Sequence, residues 1–256
     1  RTMTTQLISL NRNDTRWIIT LNRPDKRNAL SDDLVGELSA VMQQARAADI
    51  PTLVFRGEGR NFCAGFDFSD FDAVSSADLL WRFVRIQQLL TQVLSYPGMT
   101  IGIAHGRNFG AGCDLFAACK VRLATPDARF RMPGVLFDLI LGTRRLGELI
   151  GASHANRIQL SQAEFDAAEA LRMGFITGSW EAAPEGEEPL SPEQTMQAID
   201  AALEPLVAGT AKLSSTVRHA ITDALHTEAA HEDMGRLVES IMHGDIKARL
   251  ARYLGR

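Results

Sequence analysis

The sequence predicts an α/β protein: a mostly parallel sheet with helical crossovers, extended toward its C-terminal end by helices alone. Two observations lead there. β-prone runs and stretches of helical periodicity alternate through the first part of the chain, the rhythm of right-handed β–α–β crossovers. From about Gly142 the strand signal fades and apolar residues recur at helical spacing. No tandem repeat with a period of roughly 20–50 residues interrupts this order. The expected division is a core over residues 1–190 and a helical region over residues 191–256.

The first two strands fall at 6–10 and 17–21, separated by the turn-forming Asn11-Arg12-Asn13-Asp14. Ser31 stands where a helix N-cap belongs, and Asp32 and Asp33 favour the positive end of the helix dipole. Leu34, Val35, Leu38, Val41, Met42 and Ala45 then give that helix one apolar face. Ile50-Pro51 stops it, and 52–55 reads as a buried strand. A glycine-bearing loop runs to about Asp70, followed by a helix over 77–94, a break at Pro97-Gly98 and a strand over 100–104. A short helix over 110–118 and a strand over 121–124 continue the pattern. Helical spacing returns at 146–150, 163–173, 192–207 and 226–253, and the polar stretch 181–192 reads as a loop.

The 256 residues carry a formal charge of −4 and are 45% hydrophobic, an ordinary globular composition. Mild acidity argues against a general nucleic-acid binder, which shows a basic balance. An anionic ligand must then be held by local chemistry. Cys63, Cys113 and Cys119 cannot all pair and match no zinc spacing. Free thiols, a cytoplasmic location and no metal are therefore expected. No apolar run approaches the roughly 20 residues that span a bilayer. Residues 1–6 lack the apolar core of a signal peptide, and Met3 is a candidate start.

The sequence holds no G-x-x-x-x-G-K-[ST], no strand–G-x-G-x-x-G–helix, no G-x-S-x-G and no H-E-x-x-H. Nucleotide hydrolysis, the usual dinucleotide site, the usual serine hydrolase and zincin chemistry lose support. Two loop–helix junctions do look chemical. One runs from Gly57 to Asp67, the other from His105 to Asp114, each directly after a strand. At the carboxyl ends of parallel strands such loops meet ligands, and glycine lets backbone N–H groups come close to them. One donor from each loop would make a two-pronged oxyanion hole, where each donor is worth about 3–4 kcal/mol to a transition state.

Three stretches carry a family resemblance. Leu21-Asn22-Arg23-Pro24-Asp25-Lys26-Arg27-Asn28-Ala29-Leu30-Ser31 resembles the opening signature of the crotonase (enoyl-CoA hydratase/isomerase) superfamily. Phe62-Cys63-Ala64-Gly65-Phe66-Asp67 resembles its first oxyanion-loop motif, and Phe109-Gly110-Ala111-Gly112-Cys113-Asp114 its second. The likeness runs in order over about residues 5–180, and 151–175 is similar to the helical segment that follows. It implies a spiral of repeated ββα units with a C-terminal helical region that forms trimers or pairs of trimers. It also implies a coenzyme A thioester as substrate, with no separate cofactor; on the charge and apolar-run grounds above, no nucleic acid and no membrane are expected as partners. The N–H groups of Phe66 and Ala111 would hold the thioester oxygen. Lys26, Arg27, Ala29, Ala64, Asp67 and Phe68 would line the coenzyme arm, although Lys26 and Arg27 also suit a solvated loop.

Hydratases of this family use two glutamates. The matching positions here are Asp114, one methylene shorter, and Gly134, which has no side chain. Hydration delivers oxygen at one carbon and a proton at the next, which two positioned groups do well. Moving a double bond needs one base. Single-base chemistry with Asp114 as acid/base is therefore preferred, with hydration, or thioester binding without catalysis, as the alternative. Asp138 is a further carboxylate in an apolar run. Either it faces the pocket, where burial would suit it to acid–base work beside Asp114, or it sits at a bend paired with an arginine such as Arg144.

Overall fold

The computed structural model describes residues 7–180, 190–226 and 229–256. Met3 and most of the polar 181–192 stretch lie outside them. The described strands are β1 (Ile8–Arg12), β2 (Arg16–Leu21), β3 (Thr52–Gly57), β4 (Met99–Ala104), β5 (Arg107–Phe109), β6 (Val121–Ala124), β7 (Arg129–Arg131), β8 (Phe165–Asp166) and β9 (Gly178–Ser179). The helices are α1 (Asp32–Ala47), α2 (Ser76–Leu94), α3 (Ala111–Ala118), α4 (Thr143–Ser161), α5 (Ala167–Met173), α6 (Pro192–Ala211), α7 (Ser215–His226), α8 (Ala229–Met242) and α9 (Ile246–Tyr253).

β1 and β2 pair antiparallel around Asn13, whose side-chain oxygen accepts from the amides of Thr15 and Arg16. That local bond closes the turn the polar sequence announced. Ser31 caps α1 by accepting from Leu34 N–H, and the six apolar residues anticipated for its inner face are its buried set. The main sheet has the order β1-β2-β3-β4-β6-β9, and every pairing after the first is parallel. Leu53, Val54 and Phe55 of β3 are fully buried, because a central parallel strand is covered on both faces.

A second sheet, β5-β7-β8, stands apart from the first. After β4 the chain makes β5 and then α3; after β6 it makes β7 and then α4. Isolated bridges Cys63↔Asn108 and Leu30↔Phe66 add the motif loops to this arrangement. This is the predicted ββα spiral, and its short second strands were invisible to periodicity. The C-terminal helices pack on both sides of it. Ile199, Leu203 and Val207 of α6 cover Ile18, Val54, Ile101 and Ile103 of the sheet, while Leu237, Ile241, Ile246 and Leu250 join the main core. The expected single helical stretch at 226–253 resolves into α8 and α9, separated near Gly244 with its φ of +106°. No described helix is long and apolar enough to cross a membrane.

Candidate active site

The two motif loops lie backbone to backbone. Phe109 N–H donates to Cys63 O at 3.2 Å, and Gly110 N–H to Arg131 O at 2.8 Å. A Cβ added at Gly65 would stand 2.5 Å from Phe109 O, and one at Gly112 would stand 2.2 Å from Cys63 O. Only glycine allows this approach, and Gly65 also holds a φ of +94°. Asn28, fully buried, ties the opening signature to the first loop: its amide donates to Glu58 O at 2.9 Å and Asn61 O at 2.8 Å.

Neighbouring amides in these loops are spent on the scaffold. Ala64 donates to Arg27 O, Leu30 to Gly65 O and Asp67 to Leu30 O. The N–H groups of Phe66 and Ala111 meet no acceptor among the described residues. The Phe66 ring is buried and stacked on Phe83 at 4.5 Å between centroids, which fixes its backbone. Ala111 opens α3, so its N–H carries the positive end of that helix's dipole. A Cβ at Gly65 would lie 3.4 Å from Ala111 N, so the second donor borders the first loop directly.

Both residues border a cavity of about 560 Å³. Lys26, Arg27, Ala29, Ala64, Asp67 and Phe68, the positions expected along a coenzyme arm, all line it as well. Lys26 and Arg27 are exposed at its rim. Asp67 does scaffold work there: Arg23 lies 2.8 Å from its carboxylate and Ser69 N–H donates to it at 2.9 Å. Burial works to raise its pKa, but these contacts prevail and hold it below the usual carboxylate range. Arg60 lies in an adjoining groove with Arg107 and Arg129.

Asp114 is buried and lines the cavity beside Ala111. Its carboxyl group accepts no hydrogen bond from a described side chain or amide, and burial pushes its pKa well above the ordinary aspartate value. Gly142 makes room for it, since a Cβ there would stand 2.0 Å from Asp114 Oδ1. Gly134 also lines the cavity, and a side chain there would meet Leu139 only at ordinary contact distances of 3.4 Å and beyond.

Asp138 does not join Asp114. It ends the 3-10 turn Pro133–Phe137 in the left-handed region at φ 56°. Its side chain is 69% exposed, with Arg249 at 3.6 Å, and it is not among the cavity-lining residues. The turn carries it outward although its neighbours Phe137 and Leu139 point in. Arg144 is occupied by Asp233 at 2.8 Å, so the pairing partner is Arg249. His105 closes a strand end, its Nε2 lying 2.9 Å from Gly59 O. The cysteines are free and buried, and burial pushes the Cys63 and Cys119 thiols up to about 12. Among the described residues no group of three or more His, Cys, Asp or Glu could hold a metal.

The sequence reading missed Gln159, Met132, Phe137 and Tyr253, which complete the walls. Tyr253 of α9 packs its ring against Phe137 and Phe68 at 5.1 and 6.3 Å. No local motif marks these residues, because distant elements bring them in.

A sequence profile of the enoyl-CoA hydratase/isomerase family matches residues 12–256. The chain belongs to this family. A crystal structure from Bordetella parapertussis that carries the enoyl-CoA hydratase/isomerase name superposes with a TM-score of 0.88 at 42% identity, covering 98% of this chain and 100% of that one. A Bacillus subtilis (strain 168) protein named as an enoyl-CoA hydratase is 32% identical over 165 residues, 62% of this chain and 64% of its own length. The match therefore spans less than two thirds of that relative. A peroxisomal Delta(3,5)-Delta(2,4)-dienoyl-CoA isomerase of Arabidopsis thaliana is 27% identical over 68% of each chain.

Proposed function

We propose that the protein binds an acyl-CoA thioester and carries out single-base enolate chemistry, with double-bond isomerisation as its simplest form. The observation that carries this reading is a buried carboxyl group without a charge partner, Asp114, in a cavity with two unspent backbone N–H groups, where the second position is the bare Gly134 and the other buried carboxylate, Asp67, is held by Arg23 and Ser69. The thioester oxygen accepts from Phe66 and Ala111 N–H. The Asp114 carboxylate removes a proton from the acyl chain, and the C–H electron pair moves into the enolate those donors stabilise. The same carboxylic acid then returns a proton to another carbon. No group at Gly134 is available to hold an attacking water, and no separate cofactor takes part.

The test is turnover of matched 2-enoyl- and 3-enoyl-CoAs. Interconversion of the two without net water addition is expected; efficient formation of a 3-hydroxyacyl-CoA would instead establish the hydratase reading that the relatives' names suggest. In the Gly134→Glu variant, hydration of a 2-enoyl-CoA is expected to rise at least about tenfold, because it supplies the missing second group.

Neutralising Lys26 and Arg27 together is expected to weaken acyl-CoA binding about tenfold, with the difference shrinking as salt is added. Calorimetric titration at two ionic strengths reads this. Equal affinity would place the coenzyme phosphates elsewhere.

The assembly proposed is a trimer or a pair of trimers in the cytoplasm. Leu213, Val217, Ile221 and Leu225 support an assembly: they recur every fourth residue and are 41–69% exposed. Light scattering reads the mass.

A further inference from the structure

Asp114 stands in a partition between two spaces. In front is the large cavity; behind it is a chamber of about 30 Å³ enclosed by α2, α3, α4 and α8. The Asp114 Oδ1 atom sits against Gly142, which borders the small chamber and not the large cavity. Gln87 of α2 lines the same chamber and is 4% exposed, and its Oε1 meets no donor among the described residues. Its Nε2 lies 3.5 Å from Thr91 Oγ1. Turning the amide over would exchange the two head atoms and still leave one without a partner. A buried amide atom without a partner is costly. The lining is largely apolar, with Leu90, Leu94, Ala117 and Ala118 in it, so the few polar groups are where water would bond. The space has room for one water, which needs roughly 10–15 Å³ of such volume and two to four polar partners. Arg145 and Asp233 complete the polar lining, and half-buried Thr91 and Ser95 open it toward the end of α2.

We propose that this chamber holds water bonded to Gln87 and to the back of the Asp114 carboxyl group, and that this water exchanges the Asp114 proton with solvent while acyl-CoA fills the front. The inference rests on Asp114 being the base. After Asp114 takes a substrate proton, its O–H donates that proton to the chamber water. The water, in turn, returns one of its own protons to the carboxylate. Charge and atoms balance, and the proton finally delivered to carbon derives from solvent. Gln87 is a positioning residue in this scheme: it touches the water and not the substrate.

The experiment is isomerisation of a 3-enoyl-CoA in D₂O, with deuterium in the product read by mass spectrometry. Wild type is expected to place solvent deuterium in most of its product. Gln87→Met, which fills the chamber with an apolar side chain, is expected to lower incorporation at least about fivefold while KM changes less than about twofold. Gln87→Asn, which keeps the amide head, is expected to retain incorporation. A wild-type product free of deuterium, or wild-type labelling in Gln87→Met, would overturn the proposal. Unimpaired turnover by Asp114→Asn would remove the base assignment itself, a separate failure. A high-resolution crystal structure supplies a check independent of the variants. Ordered water bonded to Gln87 and Asp114 is expected, and a chamber closed by side chains overturns the relay.

Discussion

Asp114→Asn is expected to lose about 10²–10⁴-fold in turnover and yet to melt at a higher temperature than wild type at neutral pH. The two effects share one cause. Asp114 is buried without a charge partner, so its pKa stands well above the 3.8 of an ordinary aspartate. Between those two values the folded protein keeps a proton that the unfolded chain has already lost. Stability contributed at this position therefore falls as pH rises through that window. Asparagine keeps the shape and cannot ionise, so it escapes the penalty. Melting curves of both proteins at pH 4 and pH 8 should show the gap opening with pH. Activity runs the opposite way in wild type: the base works only when deprotonated, so kcat/KM should rise with pH through the raised pKa. A variant equally active, or one destabilised at pH 8 relative to pH 4, would contradict this assignment.

Gly65→Ala is expected to cost both fold and function. At φ +94° an alanine is strained by about 1–3 kcal/mol. Its Cβ would also lie 2.5 Å from Phe109 O, so the second motif loop must retreat and take Ala111 N–H with it. Misplacing a donor by about 1 Å can cost 100-fold in rate. The expected outcome is a lower melting temperature together with a fall in kcat of about 10²-fold. Gly147→Ala is the control. That glycine lies in α4 with no atom within 4 Å of an added Cβ, and alanine is the better helix former by about 1 kcal/mol. Equal kcat in wild type and Gly65→Ala would show that the loops tolerate separation.

How much of this was legible in the sequence depended on range. Ser31, the α1 face and the strand at 121–124 were read correctly because caps and periodicity are local signals. The motif loops were read through glycine, which records a backbone constraint directly. β5, β7 and β8 have three, three and two residues, too few for an alternating pattern to declare itself. Asp138 was placed among apolar neighbours on sequence grounds, but one left-handed residue at the end of a 3-10 turn reversed its direction. The walls from Gln159 and Tyr253 were unreadable, because nothing local says which distant helix will arrive.

Helix α9 comes late in the chain, yet Tyr253 and Leu254 wall the cavity that Phe66 and Ala111 open. During synthesis the two motif loops and their glycine contacts can form long before that wall emerges from the ribosome. A nascent chain would thus own its proposed catalytic groups while its pocket still lay open along one side. An enclosed pocket is then gained only once residues 246–254 have been made, and a product shortened before them would keep the two motif loops without the enclosure.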